Sequence, residues 1–245
     1  MPSELLTDRH GAVLVLTLRD PASRNPLSRQ LVSAFAEALD IAESDPQVRC
    51  IVVHGAGTDF CSGAAAQHDD EASSLPAAWP TLQAAVGQLI ESLRVFPKPV
   101  LAAVEGLAAG SGLMLALGCD LIVAAQDARF VLDADADAAA AADDRWTTAL
   151  GHWLPTPLLQ QWAWLPEPMD AQRLHQIGVV GWLSDSGQAL AVALGVASRL
   201  AARSPQALAA AKERVQQASP LPTAPPPMPG PQQLPLGLDG HDQRS

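Results

Sequence analysis

No basic run occurs anywhere in the 245 residues, and the formal net charge is −11. Nucleic acid is thereby excluded as the main partner, and an anionic ligand must find a local basic patch against the overall field. No apolar stretch approaches the length of a membrane span. The opening "MPSELLTDRH" carries acidic residues where a signal peptide needs a basic region, so a cytoplasmic location is expected. Cysteine is scarce. Cys50, Cys61 and Cys119 lie in apolar surroundings without CxxC or metal-ligand spacing; an odd set of this kind reads as reduced, buried thiols, and no metal site is expected. Tyrosine is absent and only six tryptophans and four phenylalanines occur, yet 48% of the residues are apolar. That balance suits a soluble chain with one sizeable core, alone or with an appendage.

What is present follows an α/β rhythm. "AVLVLTL", from Ala12 to Leu18, reads as a strand. Ser28 is placed to cap a helix in which Leu31, Val32, Phe35 and Leu39 recur at helical spacing. "RCIVVHGAG" is a buried strand ending in a glycine turn, followed by a Gly-Ala loop with an acidic tail. A helix from about Thr81 to Leu93 precedes the buried strand in "PKPVLAAVEG", and "DLIVAA" and "ARFVL" supply two short strands more. Continuous apolar strands alternating with helices indicate an α/β fold rather than an all-helical one. Beyond about residue 145 the chain reads as mainly helical, with Ser204 as a cap and Pro205 at a first helical position. From Ser219 onward proline dominates, and no fold is expected there.

The stretch "GLAAGSGLMLALGCD", Gly106 to Asp120, opens an apolar helix with three glycines and a serine. Glycines let a ligand approach the main chain, and the first turn of a helix leaves its N–H groups unpaired. An anion, or a negative charge developing during a reaction, suits such a place. The alternative is a glycine-rich helix start used only for tight packing.

In order along the chain, "RDPASRNPL", "FCSGAAA" and "PVLAAVEGLAAGSGLMLALGCDLIVAAQDARF" resemble successive motifs of the crotonase family, the enoyl-CoA hydratases and isomerases. The resemblance covers roughly residues 12 to 215. It implies a crotonase-like ββα spiral core over 1–184, C-terminal helices over 185–218 and a disordered proline-rich tail over 219–245. Relatives finish with further helices that complete a trimer, so a homo-oligomer is implied, with proline-rich sequence standing where those helices would be.

The resemblance further implies an acyl-CoA thioester as ligand, in fatty-acid metabolism, with coenzyme A arriving as part of the substrate and no separate cofactor. By position, the amides of Ala64 and Ser111 would hold the thioester oxygen as an enolate forms. Arg24, Ser62, Gly63, Ala64, Ala66 and Gly110 would line the acyl-CoA site, with Arg19 and Arg29 as further basic candidates. Hydratases of the family use two glutamates, and here Met114 and Ala134 stand at those positions. Neither can move a proton, and losing general acid–base assistance typically costs about 10²–10⁴-fold for each group.

Asp143, in "ADDRWTT", falls where isomerase-type relatives carry an aspartate. A double-bond shift needs one base that takes a proton from one carbon and returns it to another, and burial can lift a carboxylate's pKa to suit that task. The expectation is an enoyl-CoA isomerase-like enzyme, with Asp144 as base if the register slips by one. A non-catalytic acyl-CoA binder and a hydratase lacking its glutamates are the alternatives. The acidic stretch from Asp133 to Asp144, with Asp135 and Asp137, reads equally as a pocket rim or a solvated loop. His68 to Asp70 is a poor metal set, and Ser111 with His152 or His175 lacks the Gly-x-Ser-x-Gly setting of a hydrolase. His54 is expected to be structural, and Trp146, Trp153, Trp162 and Trp164 to pack helices.

Overall fold

The computed structural model describes residues 3–64, 82–132, 150–151, 154–165 and 167–218. The strand "VLVLTLR" forms β2 (Val13–Arg19), paired antiparallel with β1 (Glu4–His10). β3 (Cys50–Gly55), β4 (Val100–Val104), β6 (Leu121–Ala125) and β9 (Trp182–Ser184) then add in parallel, giving the order β1-β2-β3-β4-β6-β9. A smaller sheet joins β5 (Leu107–Ala109), β7 (Arg129–Val131) and β8 (Met169–Asp170).

The two-residue period of the strands builds two cores. Leu16, Leu18, Ile51, Val53, Ala102 and Val104 point to one face. There they meet α1 (Arg29–Ser44), α2 (Leu82–Val95) and α3 (Ser111–Gly118). The intervening Val13, Val15, Cys50, Val52, Leu101 and Ala103 point to the other face. That face is covered by α6 (Ala189–Ala201), through Ala189, Ala193, Val196 and Ala197. Burial on both faces explains why β3 and β4 read as unbroken apolar runs. The remaining helices are α4 (Thr156–Trp164), α5 (Ala171–Gln176) and α7 (Pro205–Ala218).

Local signals fall close to where the sequence placed them. The Ser28 hydroxyl accepts the Leu31 N–H at 3.2 Å, and the Ser204 hydroxyl accepts that of Ala207 at 3.3 Å. All three cysteines are buried and free. Trp162 is packed inside, with its indole N–H donating to the Glu167 carbonyl at 3.0 Å. Trp164 corrects the expectation of helix packing, because it is 74% exposed. Trp146 and Trp153 lie outside the described residues. No helix among the described residues is long and apolar enough to cross a membrane.

Candidate functional site

The parallel strands β3 and β4 are neighbours, so the loops leaving their C-terminal ends emerge side by side. In open α/β sheets ligands bind at that end of the strands. The first loop is described from the Gly55 turn as far as Ala64, and the second runs from Glu105 through β5 to the start of α3.

Asn25 fixes the first loop. Its side chain is fully buried: Oδ1 accepts the Asp20 N–H at 2.8 Å, and Nδ2 donates to the carbonyls of Ala56 and Asp59, each at 2.8 Å. From that anchor the Ser62 N–H reaches the Arg24 carbonyl at 2.9 Å, and the Leu27 N–H reaches that of Gly63 at 2.7 Å. Asp59 and Cys61 join the two loops. Asp59 Oδ1 accepts the Leu107 N–H at 2.9 Å, the Cys61 N–H donates to the Leu107 carbonyl at 3.0 Å, and the Ala109 N–H donates to the Cys61 carbonyl at 2.9 Å. Sequence spacing gave no signal for Asp59 or Cys61, whose partners lie more than forty positions away.

Two glycines permit the closest approach. Gly63 has φ +106°, and a Cβ built there would sit 3.1 Å from the Ala109 carbonyl oxygen and 3.7 Å from the Ser111 nitrogen. At Gly112 a Cβ would lie 2.5 Å from the Cys61 carbonyl oxygen and 2.7 Å from its sulfur. No side chain fits there without moving the other loop.

The N–H groups of Ala64 and Ser111 have no acceptor among the described residues. Ser111 is the first residue of α3, after the N-cap Gly110, whose own N–H donates to the Val131 carbonyl at 3.0 Å. The first bond of the helix ladder runs from the Met114 N–H to the Gly110 carbonyl. The amides before it are turned outward at the positive end of the helix dipole, a setting that favours a negative charge. Burial pushes the Cys61 thiol up to about 12, so it stays neutral and adds no negative charge beside these donors. Met114 is buried, an apolar side chain one turn into α3.

Ser62, Gly63, Ala64, Gly110 and Ser111 are thus brought together. Arg24 stands beside them in the left-handed conformation (φ 61°), with an exposed side chain and Nε 3.9 Å from an Asp59 oxygen. Arg19 is instead paired with Glu4 at 3.0 Å. His54 is structural, hydrogen-bonded to the Thr17 hydroxyl at 2.8 Å and the Gly55 carbonyl at 3.0 Å. His175 faces the Val180 carbonyl at 2.8 Å. Ala66, His68, Asp70, Ala134, Asp143, Asp144, His152 and the acidic stretch lie outside the described residues. Among those described, no group of His, Cys, Asp and Glu could hold a metal ion.

Residues 8–225 match the enoyl-CoA hydratase/isomerase family. The chain is 35% identical to the 2,3-dehydroadipyl-CoA hydratase of Escherichia coli K12 over 218 residues, 88% of this chain and 82% of that one. With the 1,2-epoxyphenylacetyl-CoA isomerase of the same organism it shares 35% over 130 residues, 52% of this chain and 50% of the relative. Among solved structures, an enoyl-CoA hydratase from Polaromonas sp. JS666 superposes with a TM-score of 0.77 at 37% identity, covering 89% of this chain and 84% of the other.

Proposed function

This chain belongs to the enoyl-CoA hydratase/isomerase family, and we propose that it binds an acyl-CoA thioester and shifts a double bond along the acyl chain. The observation that carries this reading is the contact of two loops at Gly63 and Ser111, with the Ala64 and Ser111 amides left without protein acceptors. A thioester oxygen placed between them gains little in the ground state and more as it becomes an enolate oxygen, which is the condition for catalysis. Removal of one such donor typically costs about 2.7–4 kcal/mol. Asp143 takes a proton from C2 of a 3-enoyl thioester, the electron pair delocalises onto the held oxygen, and the same carboxyl returns the proton at C4.

A second reading is a binder without turnover. It is favoured by Met114, an apolar side chain one turn into the helix that presents the amide, at the position where the family's hydratases use a glutamate.

Ser111→Pro separates the main-chain donor from everything else. Proline is well tolerated at a first helical position and removes the N–H, and Ser111→Ala, expected to keep its rate, controls for the hydroxyl lost with it. The expected outcome is conversion of 3-enoyl-CoA to 2-enoyl-CoA by the wild type, a loss of about 10²–10³-fold in the S111P variant with its circular dichroism unchanged, and a comparable loss in Asp143→Asn. Wild-type turnover unaffected by S111P overturns the proposed oxyanion site. Calorimetric binding of acyl-CoA without any turnover establishes the second reading instead.

A further inference from the structure

The segment from Asp59 to Cys61 runs beside β5, and the register of the two explains why the Ser111 amide is free. Cys61 pairs with Ala108 in parallel. Around that pair the Cys61 N–H donates to the Leu107 carbonyl at 3.0 Å, and the Ala109 N–H donates to the Cys61 carbonyl at 2.9 Å. Strand geometry repeats every two residues, so the ladder continued forward would join the Ser111 N–H to the Gly63 carbonyl. That carbonyl instead accepts the Leu27 N–H at 2.7 Å, with Gly63 at φ +106°. The Ser111 amide is the unmade rung at the end of a short ladder, and its position depends on the rungs before it.

The rung on the other side is made by a side chain. Its regular form would join the Leu107 N–H to the main-chain carbonyl of Asp59, but Asn25 Nδ2 already donates to that carbonyl at 2.8 Å. Asp59 Oδ1 accepts the Leu107 N–H in its place, at 2.9 Å. Both main-chain groups of Leu107 are thereby held, since its carbonyl also accepts the Phe60 N–H at 3.0 Å. The fit is close: a Cβ at Gly106 would stand 2.6 Å from Asp59 Oδ1 and 2.1 Å from the Thr58 carbonyl oxygen. The other carboxylate oxygen accepts the Thr58 hydroxyl at 3.3 Å, with Arg24 Nε 3.9 Å away. A charged acceptor makes a stronger bond to an N–H than a neutral one.

We propose that Asp59 is a positioning residue of the oxyanion site: its carboxylate replaces the main-chain carbonyl given up to Asn25 and so sets where β5 delivers the Ser111 amide relative to Ala64. Asp59 acts through Leu107 and takes no part in the proton transfer. Its effect on rate rests on the thioester reading; its effect on the main chain does not. A misplacement of about 1 Å can cost on the order of 10²-fold in rate.

The test compares Asp59→Ala and Asp59→Asn in the full-length chain, since asparagine keeps an Oδ1 acceptor and alanine does not. In D59A, kcat for conversion of 3-enoyl-CoA to 2-enoyl-CoA is expected to fall by about tenfold or more, with KM within about twofold of wild type. D59N is expected to recover most of that loss. Amide hydrogen exchange reads the same tether without turnover. In D59A the Ala109 N–H is expected to exchange about tenfold or more faster relative to that of Val52 in β3, and in D59N the ratio is expected to stay near wild type. A D59A effect that is absent or confined to KM, a D59N variant as impaired as D59A, or equal acceleration of Ala109 and Val52 each overturns the role. A wild-type chain without turnover overturns the thioester reading alone, and the exchange ratios then decide whether Asp59 sets the ladder.

Discussion

Asn25 shows how much one buried side chain organises. Its amide satisfies an N–H from one turn and two carbonyls from another, so the loop that ends at Ala64 hangs from it. Asn25→Ala strands those three groups, and each buried group left unpaired costs about 1–3 kcal/mol. Asn25→Asp keeps the acceptor for Asp20 but aims a carboxylate oxygen at two carbonyls. Both variants are expected to lower the urea midpoint, by about 3 kcal/mol or more in stability, and N25D should be no milder than N25A. Residues whose partners are close in the chain were legible beforehand: Ser28 and Ser204 cap helices that begin beside them. Asn25 was not, because its carbonyl partners lie 31 and 34 positions away. The cysteines were legible from their apolar neighbours alone. Burial pushes Cys50 and Cys61 up to about 12 and Cys119 higher still.

Among elements, α7 is held differently from the rest, for none of its fourteen residues is buried. Polar ties replace packing. Lys212 donates to the Leu93 carbonyl at 2.9 Å and pairs with Asp120 at 2.9 Å, Gln216 donates to the Arg94 carbonyl, and Arg49 grips the turn before the helix. Asp120, which also accepts the Val100 N–H at 2.8 Å, keeps only 25% of its side-chain surface exposed. Burial raises its pKa above the ordinary 3.8, and the Lys212 ammonium pulls it back. A carboxyl raised in the folded state favours folding while protonated, and the benefit is lost as pH rises through the native value. Lys212→Met removes the opposing charge, so that loss should grow. Thermal melts of K212M are expected to fall furthest below wild type near neutrality, the gap narrowing as pH approaches 3.8 to the part set by the lost bond to the Leu93 carbonyl.

The helix starts at Ser111 and Pro205 could be read from local composition. β1 could not, because six of its seven residues are exposed and neither face carries an apolar pattern. The capping of α6 was equally hidden. Glu105 accepts the N–H groups of Gly187 and Ala189, at 2.9 and 2.6 Å, from more than eighty residues away.

For the molecule as a whole, charge sets the approach of a ligand. Coenzyme A carries several phosphates and the chain a net −11, so under the proposed reading long-range repulsion opposes their encounter. Salt shortens that repulsion, with a Debye length of about 10 Å at 0.1 M. The association rate of an acyl-CoA, followed by stopped-flow tryptophan fluorescence, is therefore expected to rise by about threefold or more between roughly 15 and 150 mM salt. A falling rate would show that local attraction governs the encounter.

The α/β class was legible at this scale because strands buried on both faces are apolar throughout. The meeting of the two loops was not, since contacts such as Gly112 with Cys61 join segments that share no periodicity; the resemblance supplied that pairing. One border of the main sheet carries a further consequence. β1, with Glu4, Asp8, Arg9 and His10 along it, sits at one end of the strand order, and the three-residue β9 sits at the other. A charged margin and a stub are poor templates for a foreign strand. Among the described residues, strand pairing between copies at either border of the main sheet is thereby disfavoured.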